Sequence, residues 1–318
     1  MNSDNSVWEM FVNRDIHNGS VVRLFDKTPT PRRRTDVVCP HFVELAWAYG
    51  CPFNCIECFL KGTFRFIAFK NPDRRVPPHY KDRKIVAREI RRFIENAKQP
   101  DILNAGELSD GLMQESVNEP FSEFIIGLLE GTPHKVLFLT KSTWIQNFLK
   151  HEWQDKAVLA WSLNAPNVSK WLEPSPIPTF KQRLAAARKA QEAGYTVRIR
   201  FDPMVPVKNW DKQYIDAINE MCETITPERV TLGTLRGLPS TIAACKDKSW
   251  TQYLTESSNW GLKTDFQLRF SMLSLAIGTL KVNGTSKIAV CKDTREMWGR
   301  LKSEFGMDYH EMTCNCLP

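Results

Sequence analysis

Short apolar runs recur along the chain, separated by longer stretches in which apolar residues return every three or four positions. The short runs are rich in Val, Ile, Leu and Phe, which is typical of strands that are covered on both faces. They predict six strands, at 42–48, 101–105, 135–140, 157–163, 196–201 and 229–235. The longer stretches predict helices at 84–98, 119–130, 143–150, 179–193 and 211–224.

The helix at 179–193 has the clearest boundaries. Thr179 is a favourable N-cap residue, and Gly194 stands where the apolar pattern ends. Asp211 likewise predicts the start of the helix that follows. Six strand–helix repeats in this order predict a parallel sheet with right-handed crossovers.

The predicted fold is therefore α/β, a partial (β/α)6 TIM-like barrel with parallel strands. Its parts are an N-terminal arm or cap at 1–40, a barrel core at 41–238, and a C-terminal extension at 239–318 that closes the open side. The arm contains several prolines and little regular pattern. One further helix is predicted in the extension, at 293–304.

Composition adds constraints on class and compartment. The 318 residues are 42% hydrophobic and include ten Trp and eighteen Phe, which argues against disorder. No apolar run approaches the roughly 20 residues of a membrane span, and no signal peptide pattern is recognised. Nine cysteines in this setting predict reduced thiols and a cytoplasmic location.

The net charge of +7 comes from 43 basic and 36 acidic residues. Basic clusters lie at 31–34, 70–75, 81–84 and 88–92. Such clusters attract a polyanion such as DNA, or they form a solvated face that keeps a protein soluble. Charge alone leaves both interpretations open.

Cys51, Cys55 and Cys58 form a C-x3-C-x2-C run just after the first predicted strand. Thiolates at this spacing can hold a compact iron–sulfur cube, with each sulfur on a different iron. Three sulfurs leave one of four irons open, which is how a metal site becomes catalytic. The alternative is a zinc site, which would need partners from Cys39, His41 or the C-terminal Cys314 and Cys316.

In a parallel barrel, working residues lie at the C-terminal ends of the strands. Polar residues follow every predicted strand here. They include the segments 104–110, 140–142, 161–164, 198–203 and 234–237. This ring of polar groups predicts a binding site for a polar molecule at that end of the barrel.

Together these residues resemble the radical S-adenosylmethionine (radical SAM) superfamily, and across residues 40–240 the chain is similar to its spore photoproduct lyase family. The resemblance implies that the cluster is a [4Fe-4S] cluster and that SAM binds its open iron. Gly106 and Glu107 match the family's glycine–glutamate motif, which receives the SAM ammonium. Lys141 matches a lysine that pairs with the SAM carboxylate. Ser162 and Asn164 match a serine-x-asparagine that contacts the methionyl and ribose parts.

Further residues belong to the predicted site with less specific roles. Phe59 offers an aromatic face for packing against adenine. Arg200 is also predicted to bind the cofactor. With Asp202 and Arg236, it predicts either an anion site or an internal ion network with Glu44 and Glu107. Arg183, in the helix at 179–193, follows the family pattern as a structural anchor.

The chain departs from the family at three positions that serve photoproduct repair. Gly106 stands in place of the hydrogen-donor cysteine, Glu57 replaces a relay tyrosine, and Phe59 replaces a second tyrosine. Glycine cannot donate a hydrogen atom, and neither glutamate nor phenylalanine carries a phenol. Photoproduct repair is therefore not expected.

The C-terminal Cys314 and Cys316 are the predicted catalytic replacements. They are expected to swing over the barrel mouth as a hydrogen donor, a redox pair or ligands to a second metal. The alternative is that the tail is frayed and that Cys291, ahead of the predicted helix at 293–304, is a buried small hydrophobe.

The resemblance implies an enzyme that reductively cleaves SAM to a 5′-deoxyadenosyl radical, which abstracts a hydrogen atom from substrate. The first hypothesis is modification of a thymine-derived base or nucleotide in DNA, with electrons from an external reductant such as flavodoxin or ferredoxin. The alternative is a small-molecule or natural-product enzyme, including transfer of a SAM fragment, that uses the C-terminal cysteines. A non-enzymatic redox sensor is the third interpretation, and the SAM-binding residues argue against it.

Overall fold

The computed structural model describes residues 20–25 and 31–318, so parts of the predicted arm, 1–19 and 26–30, lie outside the described residues. An eight-stranded sheet dominates the structure. In spatial order, which is also chain order, its strands are Val22–Leu24, Val43–Leu45, Ile102–Asn104, Lys135–Thr140, Ala157–Leu163, Thr196–Met204, Arg229–Thr234 and Ile288–Val290. The first pair is antiparallel, and every later pair is parallel.

The six predicted strands are therefore confirmed as the centre of the sheet, and the α/β partial barrel is confirmed as the fold. The C-terminal extension adds a seventh parallel strand, Ile288–Val290, beside Arg229–Thr234. Two small sheets accompany the barrel. They pair Ala48–Tyr49 with His79–Tyr80, and Arg236–Gly237 with Gly261–Lys263 and Glu256–Ser258.

Helices cover the outer face of the sheet and the rim of the barrel. In the described residues the α-helices are Leu60–Thr63, Arg65–Lys70, Arg83–Asn96, Phe121–Leu129, Pro166–Leu172, Phe180–Glu192, Trp210–Thr224, Pro239–Ala244, Phe266–Val282 and Arg295–Phe305. Single 3-10 turns lie at Ser249–Tyr253 and Tyr309–Glu311. None of the helices in the described ranges combines the length and apolar character that crossing a bilayer requires.

Local chemistry explains which predicted helices form. Thr179 caps Phe180–Glu192 in a reciprocal capping box with Gln182, as its position predicts. The predicted helix at 143–150 is wrong, because this segment is a series of turns. The Tyr195 hydroxyl lies 2.7 Å from Phe148 O and 2.8 Å from His151 O, and its single proton is shared between these two carbonyl oxygens.

The N-terminal arm closes the gap between the first and last strands. Val38 N donates to Asp293 O at 2.8 Å, and Arg295 N donates to Asp36 O at 2.9 Å. Arg34 also forms an ion pair with Glu296. The described part of the arm and the extension are thus bonded to each other. The predicted division into an arm or cap at 1–40, a core at 41–238 and a closing extension at 239–318 stays a prediction.

The C-terminal tail fills the interior of the barrel. Asn315 is fully buried, where its Nδ2 donates to Ile199 O at 3.0 Å and its Oδ1 accepts from Thr231 Oγ1 at 2.8 Å. Arg198 donates to the carbonyl oxygens of Asn315 and Leu317, both at 2.8 Å. The expectation that the tail swings over the barrel mouth is therefore wrong, and so is the alternative of a frayed tail. Interior arginines need acceptors, and the tail backbone supplies them.

Candidate functional site

A cavity of about 220 Å³ opens at the C-terminal ends of the parallel strands. Nine residues that the sequence predicted for cofactor or metal binding line it together. They are Cys51, Cys55, Cys58, Phe59, Gly106, Glu107, Lys141, Ser162 and Arg200. The strand ends bring them together from five separate segments of the chain, as the barrel geometry predicts.

The cysteine loop is fixed at its start by backbone contacts. Gly50 has a φ of +80°, and a Cβ there would lie 2.1 Å from Pro77 O, so only glycine fits. Cys51 N donates to Val76 O at 2.9 Å. The loop therefore enters the cavity in one conformation.

The three thiols are free, and burial raises the pKa of each above its usual value. Because a bound metal deprotonates a thiol outright, cluster binding would offset this cost of burial. Within 20–25 and 31–318, no three His, Cys, Asp or Glu side chains are placed to hold one metal ion. A cluster spreads its thiolates over different irons, so it requires only that they line one cavity, as they do.

Gly106 follows the second parallel strand at a point of close backbone approach. A Cβ at this position would lie 2.5 Å from Leu139 O and 2.7 Å from Leu139 Cβ. Its N–H donates to Asn104 Oδ1 at 2.9 Å, which fixes the turn. No side chain fits at position 106 unless the neighbouring strand moves.

Glu107 is buried beside Gly106 and pairs with Lys292, whose Nζ lies 3.3 Å from Glu107 Oε1. Burial lowers the pKa of Lys292, but the Glu107 carboxylate outweighs this effect and the pKa is raised. The ammonium also lies over the rings of Phe25 and Trp260, at 4.5 and 5.0 Å from their centroids. Glu107 is thus held by Lys292 at the wall of the cavity.

Lys141 is fixed by a buried network at the ends of the next two strands. Its Nζ donates to Ser162 Oγ and to Glu173 Oε1, both at 2.7 Å. Burial alone would raise the pKa of Glu173, but the charges of Lys141 and Arg183 outweigh it and lower the pKa to about 2. Arg183 is fully buried and also donates to Ser162 O, which confirms it as an anchor.

Asp110 adds a second fixed contact to this part of the cavity. Its carboxylate accepts from Thr140 Oγ1 at 2.7 Å and from Lys141 N at 2.8 Å. It thereby fixes the backbone of the segment that carries the lysine. Sequence reasoning placed Asp110 among the strand-end polar residues without giving it a role.

Asn164 does not line the cavity, although its sequence neighbour Ser162 does. Its Nδ2 donates to Pro203 O at 2.7 Å, and its Oδ1 accepts from Tyr214 Oη at 2.8 Å. The side chain is buried, with both ends of its amide engaged. Its predicted contact with SAM stays a prediction.

Arg200 and Arg236 also line the cavity. Arg236 forms a two-point ion pair with Asp202, at 2.8 and 2.9 Å. Arg200 Nη2 donates to Cys316 Sγ at 3.2 Å, and its Nε is buried without a hydrogen-bond partner among the described residues. The predicted ion network forms only in part, because Glu44 pairs with Arg23 instead.

Cys314 and Cys316 do not line the main cavity. They lie around a second, smaller cavity of about 20 Å³ with Cys39 and Cys291, behind Arg200, Glu107 and Lys292. Cys316 Sγ also accepts from Asn104 Nδ2 at 3.4 Å. The predicted catalytic thiols are thus separated from the main cavity by a wall of charged side chains.

Sequence reasoning missed Lys292, Trp260 and Glu173. Lys292 is the second residue after the seventh parallel strand, Ile288–Val290, so the strand-end rule would have found it had that three-residue strand been recognised. Its φ of +50° is uncommon for a residue with a side chain and is typical of functional positions. Trp260 and Glu173 carried no sequence signal of their own.

Comparison by sequence and comparison by structure both relate this chain to spore photoproduct lyase. A sequence profile described as spore photoproduct lyase matches residues 42–235. The structure of spore photoproduct lyase complexed with dinucleoside spore photoproduct aligns with a TM-score of 0.66 at 16% identity, covering 82% of this chain and 80% of that chain. A mutant of that enzyme with bound AdoMet and dinucleoside spore photoproduct aligns with a TM-score of 0.62 at 16% identity, with the same coverage of 82% and 80%.

A more distant structural match is Streptococcus suis SuiB bound to precursor peptide SuiA. Its TM-score is 0.51 at 14% identity, covering 78% of this chain and 48% of that chain. No curated protein sequence matches the chain. Because the profile spans well over half of the 318 residues, the chain belongs to the spore photoproduct lyase family and is a radical SAM enzyme, the class that uses a [4Fe-4S] cluster and SAM.

Proposed function

We propose that this enzyme modifies a thymine-derived base or nucleotide in DNA and does not repair spore photoproduct. The packing at Gly106 is the observation that argues against photoproduct repair. A donor cysteine would need a Cβ 2.5 Å from Leu139 O, so the strand spacing of this chain excludes the side chain that repair requires. Glu57, which replaces a relay tyrosine, also lines the cavity and has no phenol.

Two findings support a nucleobase as the substrate. The relative of known structure was solved with a dinucleoside spore photoproduct, a thymine derivative. The cavity of this chain presents the aromatic side chains of Phe53, Phe59 and Trp260 together with cationic groups. Aromatic faces stack on bases, and cations pair with phosphates. A base within a duplex must be extruded to reach such a cavity.

The chain's own residues fit the two cofactors. Cys51, Cys55 and Cys58 would hold the cluster, and Glu107 and Lys141 present the carboxylate and ammonium that match the amino acid end of SAM. When bound, the cluster and SAM supply one-electron reduction and hydrogen-atom abstraction.

The remaining tasks belong to the protein. Glu173 holds the Lys141 ammonium and Asp110 holds the Lys141 backbone N–H, so the lysine is positioned before a ligand binds. Phe53 packs against the three cysteines, and Phe59 also lines the cavity, so apolar side chains accompany the thiols. The nine cysteines are all free, in keeping with the proposed reducing cytoplasm and an external one-electron reductant.

The small-molecule alternative relied on the C-terminal thiols, and their position gives it no support. Cys314 and Cys316 are buried in the barrel interior, on the far side of Arg200 from the main cavity. A thiol that donates a hydrogen atom must touch the substrate, and these two do not reach the cavity wall.

Isotope transfer from DNA tests the proposal. The protein is reconstituted with iron and sulfide without oxygen, reduced, and given SAM with oligonucleotides that contain deuterated thymidine. We expect deuterium in 5′-deoxyadenosine and no loss of spore photoproduct from a photoproduct-containing oligonucleotide. A C58A variant should bind less iron and transfer none. Conversion of photoproduct to thymines, or 5′-deoxyadenosine without deuterium from any thymidine position, would refute the proposal.

A further inference from the structure

The positive charge of the chain is concentrated in one segment directly after the cysteine loop. Residues 61–92 contain eleven of the 43 Lys and Arg residues but only three of the 36 Asp and Glu residues. The segment therefore has a surplus of eight positive charges, and the rest of the chain has one more acidic than basic residue. A local surplus of this size is the electrostatic footprint of a polyanion-binding surface.

The same segment exposes two large aromatic side chains. Phe66 is 73% exposed and Phe69 is 47% exposed, and both lie on the helix Arg65–Lys70. Residues three apart lie on the same side of a helix, so the two rings form one surface. Neighbouring exposed aromatic rings are unfavourable in water and are typical of a binding surface.

Cations accompany both rings. The guanidinium of Arg65 lies 5.0 Å from the centroid of Phe66, and that of Arg74 lies 4.7 Å from the centroid of Phe69. Within the described part of the chain, neither arginine forms an ion pair, and neither does Lys70. These three charges are thus available to an external anion, unlike Arg83 and Arg88, which face carboxylates.

This surface lies beside the cavity. The preceding helix, Leu60–Thr63, packs so closely on Pro239–Ala244 that a Cβ at Gly62 would lie 2.4 Å from Thr241 N. Thr241 and Phe59 both line the cavity. The two exposed rings therefore lie on the segment that continues directly from this wall of the cavity.

We propose that Arg65, Phe66, Phe69, Lys70 and Arg74, here called the aromatic–basic surface, bind single-stranded DNA next to the base that enters the cavity. Bases stack on the two rings, and phosphates contact the three cations. Exposed rings suit unpaired bases, because paired bases in a duplex are already stacked. The inference rests on the proposed function and identifies the DNA-contacting surface that the function requires.

Fluorescence anisotropy with a labelled oligothymidylate tests the inference on the reconstituted protein. F66A/F69A should weaken binding about tenfold or more, because stacking contributes strongly per base. The dependence of DNA affinity on salt should be the same in F66A/F69A as in the unmodified protein, since no charge is removed. R65Q/R74Q should reduce the slope of log affinity against log salt by roughly 1.4, about 0.7 for each lost phosphate contact.

Matched controls remove equivalent groups elsewhere. R188Q/R300Q removes two exposed arginines from other helices, and L149A removes an exposed apolar side chain. Both should bind like the unmodified protein, and all variants should keep their iron content. Equal binding by F66A/F69A and the unmodified protein overturns the inference and leaves the proposed function standing. If the unmodified protein binds no DNA at low salt, the proposed function fails as well. Preference for duplex over single strands also overturns the inference.

Discussion

Replacing Asn315 with alanine should destabilise the protein, although this residue lies only three positions from the C-terminus. Asn315 is fully buried, and its side chain bonds to Thr231 Oγ1 at 2.8 Å and to Ile199 O at 3.0 Å. In N315A, Thr231 Oγ1 and Ile199 O stay buried and each loses a hydrogen bond. Each lost bond lowers the free energy of unfolding by about 1–2 kcal/mol. We therefore expect a loss of about 2–4 kcal/mol. At about 2.1 cal/mol/K of unfolding entropy per residue, this lowers Tm by about 3–6 °C.

Calorimetry without oxygen measures this change, and thiol titration gives a second readout. Because the tail carries Cys314 and Cys316 into the barrel, a loosened tail should expose both thiols to a thiol reagent. We expect faster labelling of these two residues in N315A. The rate should rise in parallel with the fall in Tm.

Two further variants separate the bond from general effects. T231V removes the hydroxyl partner, so N315A/T231V should cost less than the sum of the single variants by about 1 kcal/mol. N283A removes an exposed asparagine and should change stability by less than about 0.5 kcal/mol. A fall in Tm of less than about 1 °C in N315A would show that the tail does not fill the barrel.

Three other substitutions test separate parts of the structure. G106A should lose about 1–3 kcal/mol in urea unfolding, because its Cβ would lie 2.5 Å from a backbone oxygen. G127A places its Cβ in open space on a helix, so its free energy of unfolding should rise by about 0.5–1 kcal/mol. Equal changes in stability for G106A and G127A would contradict the packing argument. K292M should lose about 3 kcal/mol, because it leaves the Glu107 carboxylate buried and unpaired, and E107Q in the same chain should restore part of the loss. Burial raises the pKa of Glu228, but arginine contacts outweigh it and lower the pKa to about 2, so E228Q should be destabilised above about pH 5 and the difference should vanish towards pH 2. A difference that grows on acidification would refute this assignment.

The periodic pattern of the sequence was sufficient for the central fold. Each core strand is a continuous apolar run, because both faces are covered, and such runs are legible without tertiary information. The segment 143–150 shows the limit of this approach. Its apolar spacing suits a helix, but residues 146–150 form turns, and the Phe148 carbonyl accepts a hydrogen bond from Tyr195, a contact with a distant part of the chain that local spacing does not show.

Some of the cavity residues were predictable from the sequence, and others only from the fold. Nine were predictable, because a compact cysteine motif and the strand-end rule are both properties of local sequence. Lys292 was not, because its strand has three residues and lies outside the regular repeat. Glu173 was not predictable either, because it ends the helix Pro166–Leu172 and meets Lys141, at the end of the strand Lys135–Thr140, only in the folded structure.

The sequence by itself determined the six strands, the three thiols and the loss of the residues that repair requires, since each depends on residue type and spacing along the chain. Only the tertiary structure decided where the tail goes. Cys314 and Cys316 looked like mobile groups at a chain end, yet Arg198 and Thr231 face the barrel interior and need acceptors there. The tail backbone and Asn315 satisfy them, because buried polar groups must be paired, and this fixes both thiols behind the cavity wall.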